Sequence, residues 1–161
     1  APLNEAIATF VGRTASIAYL SSRYGEDSPL LREGIARQED SERFVAFMRH
    51  VAGRLEELYA RELPKEEAIR RKREIITEEK ARFRRHYEEW FSSDRYRFVL
   101  EAEINNAYVD LFRTYTGDVH LVEALYRETG SELPVLLAAL RSVEEAPDPR
   151  RRLREMISAG E

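Results

Sequence analysis

The chain has 161 residues and a mass of 18.8 kDa, the size of one ordinary domain, and its 43% hydrophobic content is enough to build a core. Its 26 basic and 30 acidic residues leave a net charge of −4 and a pI near 5.6, which argues against a general affinity for nucleic acid or anionic lipid. Cysteine is absent, which excludes disulfide scaffolds, thiol catalysis and Cys-ligated zinc, and no run of 18 apolar residues is present to cross a membrane.

The apolar periodicity is helical throughout, with no alternating strand run of useful length and no Asn-Gly or Asp-Gly hairpin signal. The expected fold is all-α, one bundle over residues 1–161 of about seven to eight helices with a long antiparallel hairpin. A first helix is predicted over residues 3–23. It stops before Gly25 and carries Leu3, Ile7, Phe10, Val11, Thr14, Ile17 and Ala18 on one face. A polar joint at 24–28 leads to a short second helix at 29–37, opened by Pro29. Asp40 or Ser41 is the expected cap of a third helix that runs to about residue 62. Its apolar residues, Phe44, Met48, Val51, Leu55 and Leu58, are spaced four, three, four and three, which is the pattern of a core-facing seam.

Pro64 breaks the chain and opens a long fourth helix to about residue 91, with Ile69, Ile76, Phe83, Tyr87 and Trp90 as its stripe. The short joint between the third and fourth helices implies that they pack antiparallel. Residues 92–98 read as a loop rich in polar and aromatic side chains. A fifth helix carries Ile104, Tyr108, Leu111 and Tyr115 and ends at Gly117. Asp118 is the expected cap of a sixth, which carries Leu121, Val122, Leu125 and Tyr126 and is ended by Gly130. Ser131 is the expected cap of a seventh through residue 143. Pro147 and Pro149 separate off a last helix with Leu153, Met156 and Ile157.

Charged and titratable groups offer few sites. The three histidines, His50, His86 and His120, read as surface or helix-packing residues. His120 and Glu123 share a helix face at i, i+3, and would hold a metal only with a further carboxylate. Between residues 65 and 85 nine cations are set against five glutamates at helical spacing. That alternation describes a solvated helix laced with ion pairs, and no aromatic platform interleaves it as a nucleic-acid groove would require.

The first helix has an unusual second face, formed by Glu5, Ala8, Thr9, Gly12 and Ser16. Four of these five side chains are small, where a solvent face is normally long and charged. A ridge of small residues lets another backbone approach closely, so a second layer is expected over it, with Glu5 pointing into that layer. A carboxylate there needs a cation, a metal or hydrogen-bond donors. The alternative is an ordinary first-turn glutamate favoured by the helix N-terminus.

Leu3-Asn4-Glu5-Ala6-Ile7-Ala8 resembles the L-N-E-x-x-A segment of zinc aminopeptidases of the gluzincin type. Three stretches together resemble a bacterial family of predicted zinc aminopeptidases: residues 4–11, residues 55–72 with Leu58-Tyr59-Ala60 and the basic run behind it, and residues 104–108 with Asn105 and Asn106. The resemblance implies that Glu5 is the third zinc ligand and that an H-E-x-x-H helix elsewhere supplies two histidines and a general base. No H-E-x-x-H occurs in the 161 residues. The chain therefore reads as the C-terminal part of a longer metallopeptidase, without catalytic residues of its own and without tightly bound zinc in isolation.

Asn4 is implied as a group that orients Glu5 or contacts substrate, with helix capping as its structural alternative. Asn105 and Asn106 are implied near the substrate cleft, with a helix start as theirs. The implied partners are the N-terminal catalytic segment of the same polypeptide, a peptide substrate, and a second copy of the chain that covers the small ridge. The resemblance points to a bacterial envelope or periplasmic location. The alternative function is a non-catalytic helical module for interaction or dimerisation.

Overall fold

A computed structural model of the chain describes residues 2–105, 107–109 and 118–158. Every regular element among these residues is helical, so the chain is all-α. Helix α1 spans Pro2–Tyr24, α2 Pro29–Tyr59 and α3 Lys65–Trp90. A 3-10 helix spans Asp94–Leu100, followed by α4 at Val119–Glu128, α5 at Leu133–Glu144 and α6 at Pro149–Ser158. The chain divides into two compact units, residues 1–31 with 114–161, and residues 32–113.

In the first unit α1 packs on α4 and α5, and α6 packs on α4 and α5. Leu3, Ala6 and Phe10 of α1 meet Val122 and Leu125 of α4, Leu136, Leu140 and Val143 of α5, and Leu153 of α6. Ile7 and Val11, also on the expected α1 stripe, are partly buried against this core. The helix ends follow local chemistry. Gly25, at φ +87°, takes α1 out of the helix, with its N–H donating to Ser21 O at 2.8 Å. Gly130, at φ +70°, closes α4: its N–H donates to Arg127 O, and the Ser131 N–H donates to Tyr126 O at 2.9 Å. That pair of bonds is a Schellman ending.

Three expected caps are corrected. The Asp118 side chain does not cap α4 but is turned to Arg150, whose Nε donates to it at 3.0 Å. Ser131 is not a cap either. It sits in the turn at φ 59°, and α5 begins one residue beyond Glu132, with Pro134 in its first turn. Asp148 caps α6 instead, accepting the Arg151 N–H at 3.0 Å just ahead of Pro149.

The third corrected cap lies in the second unit. The predicted break at residues 38–40 is absent, and α2 runs unbroken for 31 residues. No Gly or Pro lies between Arg37 and Ser41 to stop it. Asp40 is 1% exposed and faces a neighbouring segment, not the start of a helix. The seam read from the sequence is buried throughout: Phe44, Met48, Val51, Leu55 and Leu58. Contacts to α3 run in opposite order along the two helices, with Arg54 on Glu78 and Glu79, Phe47 on Phe83, and Arg43 on the Trp90 carbonyl. Phe83 and Tyr87 are buried as expected, whereas Ile69 near the start of α3 is 42% exposed.

Residues expected as a loop after α3 form the 3-10 helix. Its Tyr96 stacks on Phe44 at 4.3 Å between ring centres. Lys80 holds the far end of this helix, with Nζ donating to the carbonyls of Leu100 and Ala102 at 3.1 and 2.6 Å. Of the predicted fifth helix, residues 107–109 are helical and Ile104 and Val109 are buried. Leu111, Tyr115 and Gly117 lie outside the described residues.

Candidate functional site

Glu5 stands in the first turn of α1, where the unpaired N–H groups of the helix favour a negative charge. Its carboxylate is exposed and makes no ion pair or hydrogen bond among the described residues. No second layer lies over it among the described residues of the single chain. Ala8, Gly12 and Ser16 are exposed, and a Cβ built on Gly12 would meet nothing within 4 Å. The Ser16 hydroxyl bonds back to Gly12 O at 2.8 Å, so this small residue satisfies itself on its own helix.

Asn4 is inside α1, which begins at Pro2, and so does not hold the capping position. It is exposed and lines a groove of about 610 Å³ between α1 and α5. Leu3, Ile7 and Val11 form one wall and Leu137, Leu140 and Val143 the other. Asn4, Arg141 and Glu144 are its polar members. Glu5 follows directly in sequence and precedes the groove residue Ala8 by one turn.

Asn105 belongs to the second unit and starts a helical turn. Its Oδ1 accepts the Tyr108 N–H at 2.9 Å and its carbonyl accepts the Val109 N–H at 3.1 Å. Asn106 lies outside the described residues. The histidines have protein partners or are exposed. His50 Nε2 is 3.2 Å from Glu79, His86 Nδ1 is 3.0 Å from Glu89 with its ring stacked on Trp90, and His120 is exposed. Glu123, the potential metal partner of His120, is bound by Arg127 at 2.5 Å. The basic face of α3 is paired as the spacing suggested, with Arg70 and Arg71 both on Glu74.

Two buried carboxylates have roles that the sequence alone does not give, Asp40 reading there as a cap and Glu79 as a surface charge. Asp40 accepts the Ser92 N–H at 2.8 Å, the Ser92 hydroxyl at 3.0 Å and the Ser93 hydroxyl at 2.8 Å. Burial pushes its pKa up, but these bonds and nearby Arg43 outweigh burial and hold it below the ordinary value. Glu79 is 3% exposed and accepts from Arg54 at 2.7 Å, with His50 and Arg82 beside it. Burial again opposes ionisation, and the bond from Arg54 and the charge and bond of His50 more than offset it, so its pKa is lowered. Both residues lie four positions before a core aromatic, Phe44 and Phe83. A carboxylate in phase with an apolar seam is the signal that marks them. Their oxygens are occupied by donors, and their role is to fasten α2 to α3 and to the turn after it.

A catalytic zinc takes three protein ligands and keeps one open position. Among the described residues no three His, Asp or Glu side chains gather closely enough to hold a metal ion. Glu5 is a free, chemically suitable oxygen donor, but these residues alone do not form a zinc site. None of the described helices is long and apolar enough to cross a membrane. A family profile described as "Putative aminopeptidase" matches residues 1–155. Neither a curated protein nor a solved structure gives a match.

Proposed function

The chain belongs to the family described as "Putative aminopeptidase", and from that premise we propose that it is the helical part of a zinc-dependent aminopeptidase. In this reading Glu5 gives one carboxylate to a zinc ion whose remaining ligands and general base lie in polypeptide outside these 161 residues. The observation that carries it is the family match over residues 1–155. Glu5 is exposed in the first turn of α1 and makes no ion pair or hydrogen bond among the described residues, which leaves its carboxylate open to a cation. The buried carboxylates of the second unit are saturated by donors and do not compete for that role.

Asn4, on the groove wall beside Glu5, is proposed to contact the peptide substrate. Asn105 serves its own helical turn through Oδ1 and keeps its side-chain NH₂ for a substrate carbonyl. Asn106 is proposed alongside it on the resemblance alone. The test is hydrolysis of aminoacyl 4-nitroanilides by the full-length gene product and by the 161-residue chain. Turnover by the longer protein, abolished by a chelator, with none by the shorter chain, supports the proposal. A full-length product that binds no zinc and cleaves nothing overturns it.

The groove between α1 and α5 favours a second reading, a helical module that docks another polypeptide. That reading predicts tight association without turnover in the same assay.

A further inference from the structure

The groove face of the first unit carries a second feature that its apolar lining does not explain. Leu137, Arg141 and Glu144 stand at i, i+4 and i+7 on α5, so they share one exposed stripe. Leu137 is 43% exposed, a large apolar side chain beside an apolar groove. Arg141 and Glu144 make no ion pair among the described residues, although most charged residues on α3 do. One cation and one anion, both unpaired and three residues apart on one helix, form a self-complementary pattern. A two-fold axis that sets two such helices antiparallel brings each arginine to the other's glutamate.

We propose that a second copy of this chain docks on the α1–α5 groove through a two-fold interface in which Arg141 pairs with Glu144 of the partner subunit, and Leu137 enters the groove of the partner subunit. The two reciprocal ion pairs then sit at the two-fold axis with a Leu137 contact on either side, and the same residues serve both subunits. The inference rests on the second reading of the groove and names a second copy as the docked polypeptide; a dimer formed there excludes the substrate contact proposed for Asn4.

The test is the mass of the chain by light scattering across a concentration series, with the helical circular dichroism recorded for each variant. The wild type is expected at twice 18.8 kDa. Arg141→Glu and Glu144→Arg each place like charges opposite one another twice and raise the dimer dissociation constant at least about tenfold. The double variant Arg141→Glu/Glu144→Arg restores the pairing in reverse and returns the dimer. Leu137→Asp gives monomer with unchanged helicity, because the side chain is exposed within one chain. A wild type that stays at 18.8 kDa at every concentration overturns the proposal. So does a dimer indifferent to the single charge changes, or a double variant that remains dissociated.

Discussion

Residues 32–113 pack a core of aromatic rings, among them Phe44, Phe47, Phe83, Tyr87, Phe91 and Tyr96, whereas residues 1–31 with 114–161 pack an aliphatic one around Leu125, Leu136 and Leu153. The aromatic unit also encloses two carboxylates, Asp40 and Glu79, each held by several donors. The aliphatic unit encloses Asp118 against Arg150 but leaves Glu5 on α1, and Arg141 and Glu144 on the apolar groove, without an ion pair among the described residues. Polar groups in one unit are spent on internal fastening, and in the other they remain available at the surface. Substitutions in the first case should read out as stability, and in the second as binding.

The largest stability effect expected is at Phe83, fully buried among Phe47, Tyr87 and Phe91. Phe83→Ala should cost about 3–5 kcal/mol in urea unfolding. Trp90, the single tryptophan, lies beside this core and reports on it by fluorescence. A loss under 1 kcal/mol would mean that the core is not where the packing places it. Glu79→Gln comes next, at about 1–3 kcal/mol, because Arg54 then keeps a buried but uncharged partner. The same substitution leaves the groove face untouched, so association should not change.

The pH dependence follows from the same two carboxylates. Both have pKa values lowered by folding, so their contribution is present above the ordinary carboxylate range of about 4 and is lost as pH falls through their folded values. Trp90 fluorescence should therefore show the second unit weakening below about pH 4. In Asp40→Asn and Glu79→Gln that acid slope should flatten, and a slope unchanged in both variants would assign acid sensitivity to other groups. The smallest effect is at the opposite pole of the comparison. Gly12→Ala on open α1 should stabilise by up to about 1 kcal/mol, since the added methyl meets nothing within 4 Å and alanine favours the helix. A destabilised Gly12→Ala would show that something does pack closely there.

What could be read before folding depended on range. The seam from Phe44 to Leu58 and the stops at Gly25 and Gly130 follow from periodicity and local backbone preference, and all are found. Asp40 and Asp118 read as caps in the sequence because a short polar side chain suits both a cap and a tertiary contact, whereas Ser131 belongs to the turn itself, at φ 59°. Only the partner, distant in sequence, decides: Ser92 for Asp40 and Arg150 for Asp118. The small ridge on α1 is legible as a pattern and stands exposed among the described residues, where the Ser16 hydroxyl bonds back to Gly12. In the sequence Glu79 reads as one more charge on a solvated helix; Arg54 and His50, distant in the chain, enclose it. Glu5, Asn4 and Asn105 came from resemblance to a family segment. Their local geometry by itself describes a helix N-terminus, a groove wall and a cap.

Zinc content tests the central claim most directly. Metal analysis of the purified full-length gene product should find about one zinc per chain in the wild type and close to none in Glu5→Gln, with helical circular dichroism the same in both. A Glu5→Gln protein that retains the wild-type zinc content would contradict the assignment of Glu5 as a ligand.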